Sequence, residues 1–255
     1  MSNGKQVILF IVEGASDLIA LKLPIKKLFS NQNLLSNIQI EIYGTDPLIH
    51  WPKQTDRKLW EADSLCDRIG ASVKNFIKSP KCKISPSDIA AVAVIGDLDA
   101  CFCPAESVFK NTDGDFIVYD ADGQRIFCEN VPFLIKRNEI KKDSVDMFRC
   151  YKDIRPYLCK KTVPLAFFYN NMNLEHAISG VYGPLTEEEK IRNAKAFRQK
   201  YSDDPVGFLA LLNELRAGAD NYDESLRKAY LAKEPFCRRS NLYFVIEWAK
   251  SIFPR

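Results

Sequence analysis

Two apolar runs, each followed at once by acidic residues, constrain most strongly what this chain can fold into. Val7 to Val12 (VILFIV) precedes Glu13, and Ile89 to Ile95 (IAAVAVI) precedes Gly96-Asp97-Leu98-Asp99. A strand buried on both faces of a parallel sheet is continuously apolar instead of alternating. Ligands of open α/β sheets bind just outside the carboxyl ends of such strands. The two runs therefore predict parallel strands that direct their carboxylates into one crevice.

Further strands and helices complete the pattern of an α/β protein. Residues 38–43 (IQIEIY) alternate between apolar and polar side chains, which predicts a strand towards an edge of the sheet. Residues 163–169 (VPLAFFY) predict one more strand. Helical spacing of apolar residues predicts helices over 16–29 and 57–77, the first of them kinked or interrupted at Pro24.

The final third of the chain is predicted to be mostly helical. The segment Thr186 to Glu189 has the form of a capping box and marks the start of its first helix. The expected helices span 186–201, 205–216, 222–232 and 240–253. Gly180 to Pro184 is the best boundary. We therefore expect a catalytic α/β domain over 1–180 and a helical region over 181–255 packed on it.

A β-hairpin is predicted in the middle of the chain. Residues 116–119 and 125–128 flank Asp120 to Gly123, and this segment favours an Asp-Gly turn. With the basic tract that follows, the hairpin forms an expected insertion over about 101–162 that would cover or extend the crevice. A calcium loop is an alternative for the acids near the hairpin, but the EF-hand ligand order is missing.

The overall charge allows contact with nucleic acid without arguing for it, since the net charge is +3 and the pI about 8.3. Basic residues nevertheless cluster along the chain. The clusters are Lys136, Arg137, Lys141 and Lys142; Lys152, Arg155, Lys160 and Lys161; and Arg238 with Arg239. The ordinary interpretation of each cluster is a solvated surface, and phosphate binding is the alternative.

The sequence favours a cytoplasmic protein with reduced thiols. Its first apolar run is too short for a signal-peptide core or a membrane span. The eight cysteines are scattered and form no CxxC pair. Cys101 and Cys103 closely follow Asp99, but one such pair without a nearby histidine favours packing over a zinc site.

The order of these motifs resembles the TOPRIM domain, which is shared by topoisomerases, bacterial-type primases, ribonuclease M5-like enzymes and OLD-family nucleases. An apolar strand is followed by Glu13-Gly14, by Asp17, and later by a second strand that ends in Asp97-Leu98-Asp99. The segment from Val12 to Leu21 (VEGASDLIAL) is the most similar stretch. The resemblance implies a Rossmann-like, mostly parallel sheet flanked by helices, with a Mg²⁺ or Mn²⁺ site.

The resemblance also implies roles for particular acids. Asp97 and Asp99 would ligate metal, and Glu13 would be a further ligand or a general acid or base. Asp17 would support a second metal, although an ordinary acid in the first turn of a helix is an equal alternative. Glu175 follows the last predicted strand of the sheet and would add another ligand.

Two histidines complete the set of candidate residues. His176, beside Glu175, would contact phosphate, but the pair also fits a helix-starting glutamate and a structural histidine. His50, beside Trp51 in a predicted loop, is interpreted as structural.

The leading hypothesis is a Mg²⁺- or Mn²⁺-dependent nuclease that hydrolyses phosphodiester bonds in DNA or RNA. A topoisomerase would need a further tyrosine-bearing domain, and a primase of this type would carry a zinc module. The sequence contains no GxxxxGK[ST] loop, so analogy with OLD-family nucleases suggests a separately encoded ATPase partner in phage defence. The alternatives are an inactive TOPRIM-like module that binds a protein or nucleotide, and a flavodoxin-like domain whose acids match by chance.

Overall fold

A computed structural model describes most of the chain as an α/β structure. The described residues are 6–31, 38–48, 65–80, 82–111, 116–150, 157–158, 161–216, 218–230 and 235–253. The strands are β1 (Gln6–Val12), β2 (Ile38–Gly44), β3 (Ile89–Asp97), β4 (Val108–Lys110), β5 (Val118–Asp120), β6 (Arg125–Cys128), β7 (Tyr157–Leu158), β8 (Lys161–Thr162) and β9 (Leu165–Asn170). The helices are α1 (Ala15–Asn31), α2 (Leu65–Lys78), α3 (Val131–Cys150), α4 (Leu174–Ser179), α5 (Glu187–Tyr201), α6 (Pro205–Glu214), α7 (Tyr222–Tyr230) and α8 (Val245–Ile252).

The central sheet has the order β2-β1-β3-β9, and every neighbouring pair in it is parallel. The two apolar runs form its inner strands, β1 and β3, and the alternating segment forms the edge strand β2. The predicted parallel α/β arrangement is therefore confirmed.

Both faces of the sheet are covered, which explains why the inner strands are continuously apolar. Ile8, Phe10 and Val12 face an apolar cluster that contains residues of α1, α5, α6 and α8. The alternate residues Val7 and Leu9 face a second cluster, which contains residues of α2 and α3. Side chains that alternate along a strand point to opposite faces, so β1 needs apolar residues at every position.

Helix α1 continues through Pro24, so it is not interrupted at this proline, and a kink there stays a prediction. Proline removes one hydrogen bond of the helix and crowds the preceding turn. Leu21, Ile25 and Leu28 on either side of it are buried in the core. Their packing holds the helix together across the missing hydrogen bond.

The middle of the chain contains the predicted hairpin and one helix that was not predicted. Strands β5 and β6 pair antiparallel, and β4 pairs with β6. The turn is capped by Asp120, which accepts a hydrogen bond from the Gly123 N–H and pairs with Arg125. The basic tract after the hairpin forms the 20-residue helix α3.

The C-terminal helices form close to the predicted ranges, and the capping box between Thr186 and Glu189 is present. Helices α5, α6 and α8 share one apolar cluster with α1. The boundary at 180–184 stays a prediction. Within the described ranges, no helix has the length and apolar character needed to cross a bilayer.

Candidate functional site

Acidic residues gather at the carboxyl edge of the central sheet. The chain leaves β1 towards β2 on one side, while β3 lies on the other side, so the strand order reverses between β1 and β3. Ligands of open α/β sheets bind at such a switch point. The acids placed at this edge are Glu13 after β1, Asp17 in the first turn of α1, Asp46 after β2, Asp97 and Asp99 at the end of β3, and Glu175 after β9.

The structure joins two of the predicted acids directly. Glu13 Oε2 accepts a hydrogen bond of 2.9 Å from the backbone N–H of Asp97. The carboxylate of Asp97 is buried, and its Oδ1 accepts a bond of 3.0 Å from Asn170 Nδ2 at the end of β9. Three neighbouring strands therefore fix the position of Asp97.

A strained turn after β3 sets the direction of Asp99. Asp99 and Ala100 both have left-handed backbone conformations, with φ of 49° and 51°. Such angles are unfavourable for residues other than glycine and persist where surrounding contacts enforce them. The N–H groups of both residues are bound by carbonyls of Met172 and Asn171, at 2.9 and 3.1 Å. The loop after β9 thus holds the loop that carries Asp99.

A buried lysine lies among the acids, which the sequence analysis did not predict. Lys141 on α3 has no exposed surface. Its Nζ donates to the carbonyl of Asp97 at 2.7 Å, to Glu13 Oε1 at 3.3 Å and to Asp99 Oδ2. These bonds use all three donors of the ammonium group. The chain therefore supplies its own cation between Glu13 and Asp99.

A second buried cation supports the same carboxylate. Arg137 Nη1 lies 3.7 Å from Asp99 Oδ2, and Nη2 donates to the Asp99 carbonyl at 3.4 Å. The guanidinium is oriented by Asn138, whose Oδ1 accepts bonds of 3.3 Å from Nε and 2.9 Å from Nη2. Tyr119 of the hairpin also hydrogen-bonds to Asp99 and to Arg137.

The solvated-surface interpretation is therefore wrong for Arg137 and Lys141. It holds for Lys136 of the same cluster, which is 61% exposed. A signal for the difference was present in the sequence. Arg137 lies three residues after Leu134, and Lys141 lies four residues before Val145, both of which are buried apolar residues of α3. They thus continue the inward stripe of the helix.

The pKa values show how far the two buried cations offset the burial of the acids that they contact. Burial alone would raise the pKa of Asp99, but Lys141 and Arg137 outweigh it, and the pKa lies below its usual value. Burial raises the pKa of Glu13 to about 8, against the attraction of Lys141. We call Glu13, Asp99, Arg137 and Lys141 the paired half of the site.

Asp17, Asp97 and Glu175 form the unpaired half. Burial and then the charge of Glu175 raise the pKa of Asp17 to about 7. Burial, followed by Asp17 and Glu13, raises the pKa of Asp97 well above its usual range. In the part of the chain that the structure describes, no ion pair joins these three acids to a basic side chain. The charge of Lys141 lowers the pKa of Asp17 and Asp97, but burial and the neighbouring acids outweigh it, so their mutual repulsion is only partly compensated.

Glu175 and His176 occupy the first turn of α4, which is capped by Asn173. His176 is buried beneath Tyr182, with ring centroids 4.0 Å apart, and its Nε2 has no hydrogen-bond partner among the described residues. Burial, with a smaller contribution from Arg238, lowers the pKa of His176 to about 4. The ring is therefore neutral at physiological pH and covered by Tyr182, instead of being open to phosphate.

The remaining candidates contribute less. Cys101 and Cys103 are buried in separate apolar clusters. Arg238 Nε donates to the carbonyl of Ala177. Several candidates lie outside the described residues: His50, Trp51, Asp113, Asp115, Lys152, Arg155 and Lys160. Among the described side chains, no three or more of the His, Cys, Asp and Glu type are close enough together to hold a metal ion.

Comparison of the chain with protein families, curated proteins and solved structures found no match. What the site can do must be inferred from its own chemistry. It combines a proton-carrying glutamate, two buried cations and an only partly compensated group of carboxylates at a ligand-binding edge. These are groups that can transfer a proton, stabilise developing negative charge and attract a cation.

Proposed function

We propose that this chain is a TOPRIM-like nuclease that uses Mg²⁺ or Mn²⁺ to hydrolyse phosphodiester bonds in DNA or RNA. The observation that carries the proposal is the unpaired half of the site. Its three carboxylates are buried at the carboxyl edge of the sheet, and no basic side chain in the described ranges forms an ion pair with them. Burying unpaired charge costs several kcal/mol, roughly, so such acids need protons or a cation to compensate them.

The acids suit a divalent cation in chemistry and charge. Mg²⁺ and Mn²⁺ prefer carboxylate oxygens. Asp17, Asp97 and Glu175 would hold the ion, and binding would have to draw them closer together than they are now. Glu13 and Asp99, which the sequence also offered as ligands, instead bind Lys141.

A divalent cation at the unpaired half would polarise the scissile phosphate and activate a water molecule. Glu13, with its pKa raised to about 8, carries a proton at neutral pH that it can deliver to the leaving oxygen. Lys141 fixes Glu13 and Asp99 in place. With Arg137, it provides positive charge next to the point where negative charge develops on the phosphate.

A second candidate function is favoured by Lys141. Because its ammonium group already satisfies Glu13 and Asp99, a module that binds a partner or nucleotide without cleavage would also be stable. The strand order agrees with this candidate, since flavodoxin-like folds share it. The two candidates differ in one respect: only the nuclease needs a cation at Asp97.

We further propose a separately encoded ATPase partner, by analogy with OLD-family nucleases and phage defence. The lack of a GxxxxGK[ST] loop in this sequence supports the proposal. Co-purification with an ATPase encoded beside this chain, and cleavage that depends on ATP, would support the partnership. Full activity of the isolated chain without ATP would contradict it.

The deciding experiment is a cleavage assay on plasmid DNA, single-stranded DNA and structured RNA, with Mg²⁺, Mn²⁺ or EDTA. We compare wild type with Asp97→Asn and Glu13→Gln. The control is Glu188→Gln, an exposed acid on α5. We expect cleavage that requires metal, with a loss of at least about 100-fold in both site variants and none in the control. Equal activity in Asp97→Asn would favour the second candidate. No cleavage by the isolated chain would fit either the second candidate or dependence on the ATPase partner, and titration with Mn²⁺ would separate the two, since only the nuclease needs a cation at Asp97.

A further inference from the structure

A cavity of about 340 Å³ opens beside the acids, between the hairpin and the segment after α4. Its size lies at the lower end of the range of small-ligand sites, about 300–1,000 Å³. Asp99 and Glu175 line one part of it, and further parts are lined by Phe116, Ile117 and Tyr119 and by residues 181–185. The cavity therefore connects both halves of the acidic site to the surface.

One side of this cavity is an exposed aromatic and apolar wall. Phe116 is 59% exposed, Tyr182 38% and Val181 39%. They are three of the seven large hydrophobic side chains that are exposed in the described part of the chain. Apolar surface concentrated at a cavity marks a binding site more often than scattered residues do. Tyr182 packs against His176, with the two rings tilted by 46°.

The other side of the cavity carries two basic side chains, close to the carboxylates of Asp99 and Glu175. Arg137, whose side chain is more than nine-tenths buried, lines it and is held rigidly by Asn138 and the Asp99 carbonyl. Lys190 on α5 lines it as well and is partly exposed. Arginine and lysine are the usual ligands of phosphate groups. Aromatic side chains therefore lie on one side of the cavity, and the basic side chains of Arg137 and Lys190 lie on the other, next to the acids.

We propose that this cavity binds one unpaired nucleotide of a nucleic-acid strand, with the base on Phe116 and Tyr182 and the phosphate towards Arg137 and Lys190. This inference rests on the proposed function and specifies its substrate as single-stranded. A base in a duplex is stacked between its neighbours and does not offer both faces to protein side chains, whereas an unpaired base stacks readily on aromatic residues.

The test is binding, so it does not depend on cleavage. Fluorescence anisotropy in EDTA measures the affinity for a short labelled single strand, for the same strand in a duplex, and for nucleoside monophosphate as a competitor. We expect the single strand to bind more tightly than the duplex. Phe116→Ala and Tyr182→Ala should each weaken single-strand binding by about tenfold, the loss typical of one stacked base. Phe116→Trp should retain the affinity.

The matched control is Phe133→Ala, which removes an aromatic side chain that is 50% exposed and does not line the cavity. Displacement of the strand by nucleoside monophosphate would support a nucleotide site and identify free nucleotides as a second source of ligand. Equal affinity for strand and duplex, unchanged in Phe116→Ala and Tyr182→Ala, would overturn the inference. That result would leave the cleavage assay, and hence the proposed function, unaffected.

Discussion

The two halves of the site are built from the same kind of residue on the same sheet edge, but they differ in the counter-charge that the chain provides. In the paired half, Lys141 and Arg137 neutralise Asp99 and hold Glu13. In the unpaired half, the charge of Glu175 raises the pKa of Asp17, and the charge of Asp17 raises that of Asp97. The fold itself supplies the counter-charge in one half, and we propose that a bound cation supplies it in the other.

The comparison also separates a structural role from a chemical one. Lys141 connects α3 to the ends of β1 and β3, so it ties the insertion to the central sheet. Among the described residues no basic side chain anchors the carboxylate of Asp17, which accepts hydrogen bonds from the Gly14 backbone and, at 3.4 Å, from the Ser16 hydroxyl. A cation that binds Asp17 therefore has no ion pair to displace, whereas one that binds Glu13 or Asp99 would compete with a buried ammonium group.

The largest effect is expected from removing the internal cation. Lys141→Met leaves Glu13 and Asp99 buried without their partner and should lower the free energy of unfolding by about 3–5 kcal/mol. Lys136→Met on the same helix removes an exposed pair with Glu139 and should cost about 0–1 kcal/mol. Urea denaturation at neutral pH measures both. Similar small losses in the two variants would show that the buried contacts of Lys141 add no more to the free energy of unfolding than an exposed ion pair does.

A smaller loss is expected from the hairpin side of the paired half. Tyr119→Phe removes the hydroxyl that hydrogen-bonds to Asp99 and Arg137. Hydrogen bonds to charged groups contribute about 1.5–3 kcal/mol, and we expect a loss of this size in the same denaturation experiment. A variant as stable as wild type would mean that Lys141 and Arg137 alone satisfy Asp99.

The unpaired half should appear as a pH dependence of stability. The folded-state pKa of Asp17, about 7, is above its unfolded value, so the native state binds the extra proton. Stability therefore falls as pH rises from the unfolded pKa, about 4, towards 7, by up to about 1.4 kcal/mol per pH unit. Asp17→Asn should flatten this slope, and Glu188→Gln should not. A slope unchanged by Asp17→Asn would contradict the assignment of only partly compensated charge.

His176 contributes with the opposite sign over part of this range. Its folded-state pKa of about 4 is below the unfolded value, so its contribution is present above pH 6.5 and is lost as pH falls towards 4. The comparison of wild type with Asp17→Asn cancels this contribution, because both proteins contain His176.

The central sheet and most of the acids could be predicted because each acid follows its strand directly in the sequence. The prediction that Glu13, Asp97 and Asp99 lie close together requires only that the ends of two buried strands are adjacent. Asp46, which adds to the raised pKa of Glu13, was missed although it follows β2 in the same way. Its strand β2 alternates between apolar and polar residues, which indicated an edge strand and not a part of the ligand site.

Arg137 and Lys141 were harder to predict, since they lie about 40 residues after β3 in the sequence and yet contact the residues at its end. A lysine on a helix is normally solvated, and its burial depends on tertiary packing of α3 against the sheet edge. The aromatic wall around Phe116 and Tyr182 likewise joins two segments that are distant in sequence. Short-range patterns predict elements and their ends, but they do not predict which distant side chain fills the space between them.

The most direct measurement is a calorimetric titration of Mn²⁺ into wild type, Asp97→Asn and Glu188→Gln at neutral pH. We expect wild type and Glu188→Gln to bind the ion equally, and Asp97→Asn to bind it at least about 100-fold more weakly. Failure of wild type to bind Mn²⁺, or unchanged binding by Asp97→Asn, would contradict a cation site in the unpaired half and with it the proposed metal-dependent nuclease.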